Sequence, residues 1–426
     1  MGRFSLAQAN TKEEELESIS RRRRHMYPQV VSALVGKHIL VQKPAFPSVV
    51  VVEGRSGNAT RERLDWDWHL SRVSDAEFAR LYRMPKTLFA TLCDTLRPHL
   101  IRNTEMARRG SPSGEVAPEL QLSMVLRYCA GGSYLDITLL HGVHRATFFA
   151  ILRRVVAAIN SMTQLTFSTD LVSLQEAARG FQGRMNNPLR GCVAALDGLA
   201  IKIVRPRSSL CPNSKDYYSR KSIFAFNLQA ACDSRYKFVF ASCKTPGSTH
   251  DSVAFNASAV GRQVAEGLLP EGFWIAADEA YASGKSVLTP WSGRKLTAEK
   301  DSFNFHLSSS RIHIEQAFGL LVARWGVLWR AIDLDYRFVP RLVMALLKLH
   351  NLCLENKAPI VRRDAADVRP GDSFRLQMRL NFDADDDLRR RRRDLERKNC
   401  PARTEQTEML LQKGIFRPAW STNSKQ

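Results

Sequence analysis

Four acidic residues occupy positions where a carboxylate is unusual. Asp197 would lie in the middle of an apolar strand face, because alternate residues from Val193 to Ile203 share one side. Asp278 follows a short apolar run, Asp251 follows another, and Glu315 lies within a helical pattern. A buried carboxylate normally has a cation, a hydrogen-bond network or a metal beside it, because burying it alone is costly. The four acids are therefore candidates for a metal-binding site.

Two of these acids have alternative roles in turns. Gly198 follows Asp197, so the pair could form an Asp-Gly turn, although the strand pattern continues to Val204. Asp278 ends a strand, where acidic residues often form turns. Glu279 is adjacent to it, but neighbouring strand residues point to opposite faces, so only one of them can join a given site.

The other two acids have alternative roles in helices. Ser248 and Asp251 fit the S-x-x-D form of a capping box, which would start the following helix. Arg311 lies four residues before Glu315 and could form a local ion pair with it. Helical spacing places Glu315 on the same stripe as Ile312, so we expect this acid to point toward packed structure.

Periodicity predicts the elements that would position these acids. Alternating or continuous apolar runs predict strands, and apolar residues at helical spacing predict helices. The predicted strands are Val193 to Val204, Ala225 to Cys232, Lys237 to Ser242 and Phe273 to Ala277, and the predicted helices cover about Ser252 to Glu266, Ser310 to Trp329 and Val339 to Glu355. This is the element order of an RNase H-like fold, so we predict an α/β domain with a mixed sheet over residues 190–355.

In an RNase H-like sheet, the first strand, the end of the fourth strand and the later helix converge at one edge. Asp197, Asp278 and Glu315 occupy those three places. Acids there can hold two divalent ions about 3.5–4 Å apart, which activate a water and stabilise both oxygens of an in-line phosphodiester displacement. Carboxylates and waters are the ligands that Mg²⁺ and Mn²⁺ prefer. The pattern therefore favours a metal-dependent nuclease.

Residues 61–165 are predicted to form an α-helical domain ahead of this sheet, with a helix-turn-helix at about 119–160. The helix patterns there cover Leu120 to Leu126, Ser133 to Leu140 and His144 to Ile159. The second helix of a helix-turn-helix can enter a DNA major groove. The basic residues on its outward face would include Arg145, Arg153 and Arg154. The alternative is an ordinary helical bundle with a solvated basic face.

The composition is strongly basic, with 63 Lys and Arg against 42 Asp and Glu in 426 residues, a formal net charge of +21. Such an excess favours a polyanionic partner, either nucleic acid or an acidic membrane face. No run approaches the roughly 18 apolar residues of a membrane span, and the N-terminus lacks the apolar core of a signal peptide. Eight cysteines without a CxxC pair indicate reduced, mostly buried thiols. We therefore expect an intracellular protein that does not bind membranes.

Both ends of the chain are polar. Residues 1–60 are predicted to form a flexible segment, and residues 356–426 a polar, Arg-rich C-terminal tail. Arg389 to Arg393 follow an acidic run and are typical of a nuclear-import signal or a non-specific nucleic-acid arm. The alternative is a solvated helix face on which the two runs pair. We favour import and predict a nuclear protein.

Seven motifs resemble those of one family. In chain order they are Ala194 to Gly198, Tyr217 to Lys221, Asn227 to Asp233, Pro246 to Ser252, Ala277 to Tyr281, Arg311 to Gly319 and Leu349 to Asn351. Together, over about 160 residues, they resemble the nuclease domain of PIF/Harbinger transposases and of the domesticated Harbinger-derived nucleases. The helices before them also resemble the helix-turn-helix of this family. The departures are Ala277 for a usual Gly, Gln316 for a usual Arg and Trp325 for a common Phe, and none removes a carboxylate.

The resemblance implies a DNA endonuclease of the DDE type that depends on a divalent cation, Mg²⁺ or Mn²⁺. The metal-binding positions would be Asp197, Asp251, Asp278 and Glu315. Asp197, Asp278 and Glu315 would be the catalytic acids, and the choice between Asp251 and Asp278 as the main second acid stays open.

The resemblance also implies partners. Arg220 and Lys221 belong to the second motif and are candidate contacts to DNA. Family members typically bind terminal repeats together with a separate Myb-like protein, so we expect such a partner here, and a homo-oligomer stays open. Two other functions remain compatible with the motifs. One is a domesticated, non-catalytic DNA-binding or recruitment protein that keeps the fold, and the other is an RNase H-like nuclease that acts on RNA, which rests on fold analogy alone.

Overall fold

A computed structural model describes residues 61–101, 105, 114–162, 164–183, 186–293, 295–359, 400–418 and 421. The predicted flexible segment 1–60 and the basic block Arg389 to Arg393 lie outside the described residues. The described chain combines helices with a five-stranded mixed sheet, which is consistent with the predicted RNase H-like fold.

A helical region precedes the sheet. Its helices are α1 (Trp66–Arg72), α2 (Asp75–Tyr82), α3 (Lys86–Leu100), α4 (Pro118–Cys129), α5 (Tyr134–Leu140), α6 (Arg145–Met162) and α7 (Leu171–Gly183). Ser74 and Glu77 form a capping box at the start of α2. Pro118 begins α4, where the missing amide proton costs nothing. The three helices predicted within about 119–160 are present as α4, α5 and α6.

Gly142 makes the tight turn between α5 and α6. Its φ is +61°, and a Cβ there would lie 1.9 Å from the carbonyl oxygen of Glu62. A larger residue would therefore collide with the chain that leads into α1. Arg61 also holds this chain segment against the turn, because its Nη1 donates to the carbonyl oxygen of Val143 at 3.1 Å.

The second half of the chain forms a mixed sheet. Its strands are β1 (Cys192–Lys202), β2 (Ala225–Cys232), β3 (Phe238–Pro246), β4 (Trp274–Ala276) and β5 (Val287–Leu288), in the spatial order β3-β2-β1-β4-β5. The pairs β1/β2 and β2/β3 are antiparallel, whereas β1/β4 and β4/β5 are parallel. All four predicted strands are present. β5 was not predicted, because a two-residue strand is too short to give a periodic signal.

Further helices pack on this sheet. They are α8 (Asp251–Asn256), α9 (Ala259–Ala265), α10 (Ala298–Arg324) and α11 (Val339–Glu355). The single helix predicted from Ser252 to Glu266 is wrong, because Ser258 Oγ accepts from the Gly261 amide at 3.0 Å and starts a second helix. The start of α10 is also earlier than the predicted Ser310. Its first turns are mostly polar and carry few apolar residues, such as the buried Phe303, so their helical pattern is weak.

Two apolar clusters cover the two faces of the sheet. The larger cluster extends from the helical region to α10 and α11, and α6 packs directly against α11. The smaller cluster packs α7, α8 and α9 against the other face. Asn351 ties α11 to β3, because its side-chain amide donates to the carbonyl oxygen of Phe238 and accepts from its amide, each at 2.8 Å. The last of the seven motifs thus has a structural role.

A C-terminal helix, α12 (Pro401–Gln412), packs against α10. The guanidinium of Arg403 lies 3.9 Å from the ring centroid of Trp291, whose Nε1 donates to Thr407 Oγ1 at 3.0 Å. This helix was not predicted within the polar tail 356–426. Its buried side chains are Arg403, Thr407 and Leu410, so it shows almost no apolar stripe.

All eight cysteines are free and buried, as predicted. Burial raises the pKa of the Cys129, Cys192 and Cys243 thiols to about 12, so these three remain protonated at neutral pH. Within the described part of the chain, no helix is long and apolar enough to cross a membrane.

Candidate active site

Asp197 lies inside β1, where it pairs with Ala230 of β2. The alternative of an Asp-Gly turn is therefore wrong. The residue is 8% exposed, and its Oδ1 accepts a hydrogen bond from the Gly198 amide at 2.7 Å. Burial and, after it, the charge of Asp278 raise the pKa of Asp197 to about 8. The ionised side chain thus requires a positive charge nearby.

Asp278 lies next to Asp197 on the neighbouring strand. Ala195 of β1 pairs in parallel with Ala276 of β4, and each acid comes two residues later in the chain. Burial raises the pKa of Asp278, whereas the positive charge of Arg311 opposes this shift. The strand register therefore brings the two carboxylates together, as the element order predicted for these two positions.

Asp278 also forms the turn after β4. Its Oδ1 accepts from the Ala280 amide at 2.8 Å. Glu279, the adjacent acid, is exposed, and its charge adds slightly to the raised pKa of Asp278.

Asp251 is the first residue of α8, and its side chain turns toward the sheet. The alternative of a capping box between Ser248 and Asp251 is wrong, because His250 caps the helix and its ring nitrogen accepts from the Ser252 amide at 3.4 Å. Asp251 Oδ1 instead accepts from Asn227 Nδ2 at 2.8 Å and from Gln229 Nε2 at 2.9 Å. Hydrogen bonds from β2 have thus replaced a local cap.

Gly198 allows Asp251 to approach β1. A Cβ at Gly198 would lie 2.4 Å from Asp251 Oδ1 and 2.8 Å from Gln229 Nε2. The charge of Asp251 accordingly contributes to the raised pKa of Asp197. Asp197, Asp251 and Asp278 therefore form one group, which we call the aspartate cluster.

A buried polar network holds Asp251 in place. The Tyr281 hydroxyl donates to Gln229 Oε1 at 2.6 Å, and Gln229 Nε2 donates to Asn227 Oδ1 at 2.7 Å. Burial raises the pKa of Tyr281 well above its usual value, so its hydroxyl remains a donor. No role was predicted for these three residues. A signal was present, since Asn227 and Gln229 are polar residues on one face of the otherwise apolar β2.

Glu315 is connected to the aspartate cluster through Arg311. Arg311 Nη2 lies 3.5 Å from Glu315 Oε1, and the charge of Arg311 opposes the raised pKa values of both Asp197 and Asp278. Contrary to our expectation, Glu315 does not point into packed structure, because its side chain is 43% exposed. The buried stripe of α10 includes Ile314, Ala317, Phe318 and Leu321. Glu315 thus flanks the cluster.

Of the predicted DNA contacts, Lys221 lies near the cluster. Burial lowers the pKa of Lys221, whereas the charges of Asp251 and Asp197 oppose this shift. Arg220, the adjacent residue, is exposed.

The other predicted DNA contacts lie on α6, in the helical region. Arg145 and Arg153 are both exposed. The guanidinium carbon of Arg145 lies 5.3 Å from the ring centroid of Tyr134. Arg154 does not point outward as predicted, because its Nη1 donates to Oε1 of the buried Gln121 at 2.8 Å. Two of the three arginines are therefore available at the surface.

The aspartate cluster has the chemistry of a divalent-metal site. Its donors are carboxylate oxygens, the ligands preferred by Mg²⁺ and Mn²⁺. A bound cation would stabilise the ionised carboxylates whose pKa values burial has raised. Among the described residues, no three His, Cys, Asp or Glu side chains already surround a single point as metal ligands. The carboxylates would therefore have to close around an ion.

Known proteins share this region of the chain. Residues 196–351 match the family model described as DDE superfamily endonuclease. Over 310 residues, the chain is 24% identical to the protein named "Putative nuclease HARBI1" of Bos taurus and 23% identical to that of Homo sapiens, and each match covers 70% of this chain and 82% of the relative. No solved structure shows a significant match. The chain thus contains a DDE superfamily endonuclease domain and is homologous to the Harbinger-derived nuclease HARBI1, as its motifs predicted.

Proposed function

We propose that this protein is a divalent-metal-dependent DNA endonuclease of the DDE transposase type, which hydrolyses phosphodiesters and nicks DNA by a two-metal mechanism. The observation that carries the proposal is the aspartate cluster, in which carboxylates from β1, the end of β4 and the start of α8 meet. The endonuclease family supports DNA as the substrate class.

In this proposal, the aspartate cluster holds the divalent ions and Glu315 completes the ligand set from α10. When bound, the ions lower the pKa of a coordinated water and stabilise the charge that develops on the phosphate oxygens. Asp197 must lose its proton before it can act as a ligand, because a pKa of about 8 leaves it mostly protonated at neutral pH. Glu315 must leave Arg311, which costs little because a half-exposed ion pair is worth about 0–1 kcal/mol.

Asp251 and Asp278 both serve as ligands in this account. Asp278 is aligned with Asp197 by the strand register, and Asp251 is held by two side-chain donors of β2. Hydrogen bonds of this kind orient a ligand before the metal arrives. The proposal therefore does not require a choice of one main second acid.

Positive charge would hold the DNA backbone around the cluster. The net charge of +21 and the exposed Arg220 beside Lys221 support this. Arg145 and Arg153 on α6 would contact DNA if α4 to α6 act as a helix-turn-helix. A Myb-like partner, a homo-oligomer and a nuclear location rest on the family resemblance and the C-terminal basic block, and they stay predictions.

The test is nicking of supercoiled plasmid DNA by the purified chain with Mg²⁺ or Mn²⁺. We expect the wild type to convert supercoiled to open-circular DNA, and Asp197→Ala and Glu315→Ala to lose this activity. Glu279→Gln is the matched control, because Glu279 is an exposed carboxylate next to Asp278 in the chain, and it should cleave like the wild type. Equal cleavage by all four proteins would overturn the proposal. DNA binding without cleavage under either metal would support the alternative of a non-catalytic DNA-binding protein.

A further inference from the structure

A short hairpin, residues 218–224, lies between β1 and β2 in the chain. The Ser219 amide donates to the carbonyl oxygen of Ile223 at 2.8 Å, and the Ser222 amide donates to that of Ser219 at 3.0 Å. Tyr218 and Phe224 form a bridge across its base. Arg220 and Lys221 are therefore at its tip.

This hairpin reaches the aspartate cluster. Lys221 at the tip interacts electrostatically with Asp251 and Asp197. The loop that leads into α8 supports the same region, because the Ser248 amide donates to the carbonyl oxygen of Asp216 at 3.1 Å. A backbone hydrogen bond thus joins the segment before the hairpin to the segment before Asp251. The hairpin is therefore positioned beside the proposed site of cleavage.

Two adjacent tyrosines at the base of the hairpin have different surroundings. Tyr217 packs inward, with ring centroids 5.0 Å from Phe226 and 5.6 Å from Tyr336. Tyr218 is 48% exposed, and its ring contacts Phe224 at 5.1 Å. Tyr217 therefore anchors the segment, whereas Tyr218 presents much of its ring to solvent.

A cation lies over the ring next to Tyr218, and another is close to Tyr218 in the chain. The guanidinium of Arg205 lies 5.7 Å from the ring centroid of Phe224, on which Tyr218 packs, and Arg220 is exposed. Residues 202–221 contain six Lys and Arg against one Asp. Exposed aromatic rings beside backbone-binding cations are how proteins hold unpaired bases, because every base has a face on which an aromatic ring can stack. This charge favours nucleic acid over a protein partner.

We propose that Tyr218 stacks on an unpaired base close to the phosphodiester that the aspartate cluster cleaves, so that the protein prefers locally opened DNA to a fully paired duplex. This inference rests on the proposed function for the identity of the DNA and for the position of the cut. Tyr218 and Lys221 are three residues apart, so their Cα atoms are at most about 11 Å apart, which corresponds to about three base steps of one strand. The stacked base would therefore lie only a few base steps from the cut.

The experiment measures DNA binding without divalent metal in the Asp197→Ala background, so that no cleavage occurs. The probe is a duplex with one 2-aminopurine, either paired or placed in a single-base bulge. We expect the bulged duplex to bind about tenfold more tightly than the paired duplex, with quenching of the 2-aminopurine fluorescence by stacking. A tenfold preference corresponds to about 1.4 kcal/mol, within the range of base–aromatic stacking.

Three further substitutions in that background test the assignment. Tyr218→Ala should lose the preference and the quenching, whereas Tyr218→Trp should keep both, because it retains an aromatic face. Arg220→Ala should weaken binding of both duplexes equally. Because Tyr218 is half-exposed, its substitution should leave the thermal midpoint of unfolding unchanged, and this checks the fold.

The outcomes separate this inference from the proposed function. Metal-dependent nicking by the wild type together with an unchanged bulge preference in Tyr218→Ala would overturn the inference alone. A bulge preference that depends on Tyr218, with no nicking under any divalent metal, would support the base contact and overturn the nuclease proposal. Equal binding of the paired and bulged duplexes before any substitution at Tyr218 would also overturn the inference.

Discussion

The aspartate cluster and Glu315 differ in how firmly the fold holds them. The three aspartates are packed against the sheet and fixed by the register of β1 and β4 and by hydrogen bonds from β2. Glu315 is 43% exposed and has one contact of 3.5 Å, to Arg311. The fold therefore bears the energetic cost of crowding the aspartates, whereas holding Glu315 in place costs almost no stability. Substitutions in the two parts should therefore affect stability differently, even though both parts serve the proposed chemistry.

The largest effect is expected from Asp197→Asn, measured with a chelator present. Asn keeps the oxygen that accepts from the Gly198 amide but removes the buried charge. The pKa of Asp197 in the folded protein, about 8, lies above the roughly 3.9 of an exposed aspartate. Its contribution to stability is therefore complete below about pH 4 and is lost as the pH rises to 8, by up to about 1.4 kcal/mol per pH unit. Asn should remove this loss and make the protein more stable at pH 8.

The measurement is urea unfolding of both proteins at intervals between pH 5 and pH 8. Glu279→Gln is again the control, because it neutralises an exposed acid beside the same site. Parallel pH dependences of the wild type and Asp197→Asn would show that Asp197 does not carry the buried charge.

Gly198→Ala should be the next most harmful change. The new Cβ would lie 2.4 Å from Asp251 Oδ1, so the carboxylate or β1 must shift. Overpacking of this kind costs about 1–3 kcal/mol. We expect a lower free energy of unfolding together with impaired nicking. Gly183→Ala is a control, since a Cβ at Gly183 meets no atom within 4 Å. Similar effects of the two changes would contradict the close approach at Gly198.

Gln229→Met should weaken metal binding without a large loss of volume. It removes the donor to Asp251 and the acceptor for Tyr281. Loss of an interaction that orients a metal ligand typically costs about 10–100-fold in affinity or activity. Tyr281→Phe removes only the outer hydrogen bond and should have a smaller effect. Titration calorimetry with Mn²⁺ compares the wild type, Gln229→Met and Tyr281→Phe. A larger effect of Tyr281→Phe would contradict the arrangement in which Gln229 contacts Asp251 directly and Tyr281 acts through Gln229.

The smallest change in stability is expected from Glu315→Gln. The half-exposed pair with Arg311 is worth at most about 1 kcal/mol, so the free energy of unfolding should change by less than that. Nicking should nevertheless fall sharply if Glu315 is a ligand. A loss of stability like that of Gly198→Ala would show that Glu315 is held as firmly as the aspartates, which would contradict the difference between the two parts of the site.

The sequence predicted the elements that have their own periodic pattern. β2 has the predicted bounds because its apolar residues are interrupted only by Asn227 and Gln229, which share one face of the strand. Asp197 was correctly assigned to a strand because the pattern continues beyond Gly198. The position of Asp278 beside it followed from the element order alone.

Features that depend on distant parts of the chain were not predicted. The local S-x-x-D pattern indicated a cap at Asp251, but donors on β2, more than twenty residues away, bind this carboxylate instead. α12 was missed because its docking depends on Arg403 against the distant Trp291, rather than on an apolar stripe. The exposure of Glu315 could not be read from helical spacing, since several stripes of α10 carry apolar residues.

The most direct test of the central claim is Mn²⁺ binding, followed by the loss of the electron paramagnetic resonance signal of free Mn²⁺. The proteins compared are the wild type, Asp197→Asn and Glu279→Gln, at pH 8, where half or more of Asp197 can ionise. If the aspartate cluster is the metal site, the wild type and Glu279→Gln will bind Mn²⁺ alike and Asp197→Asn will bind at least about tenfold more weakly. Equal Mn²⁺ binding by all three proteins would contradict the account.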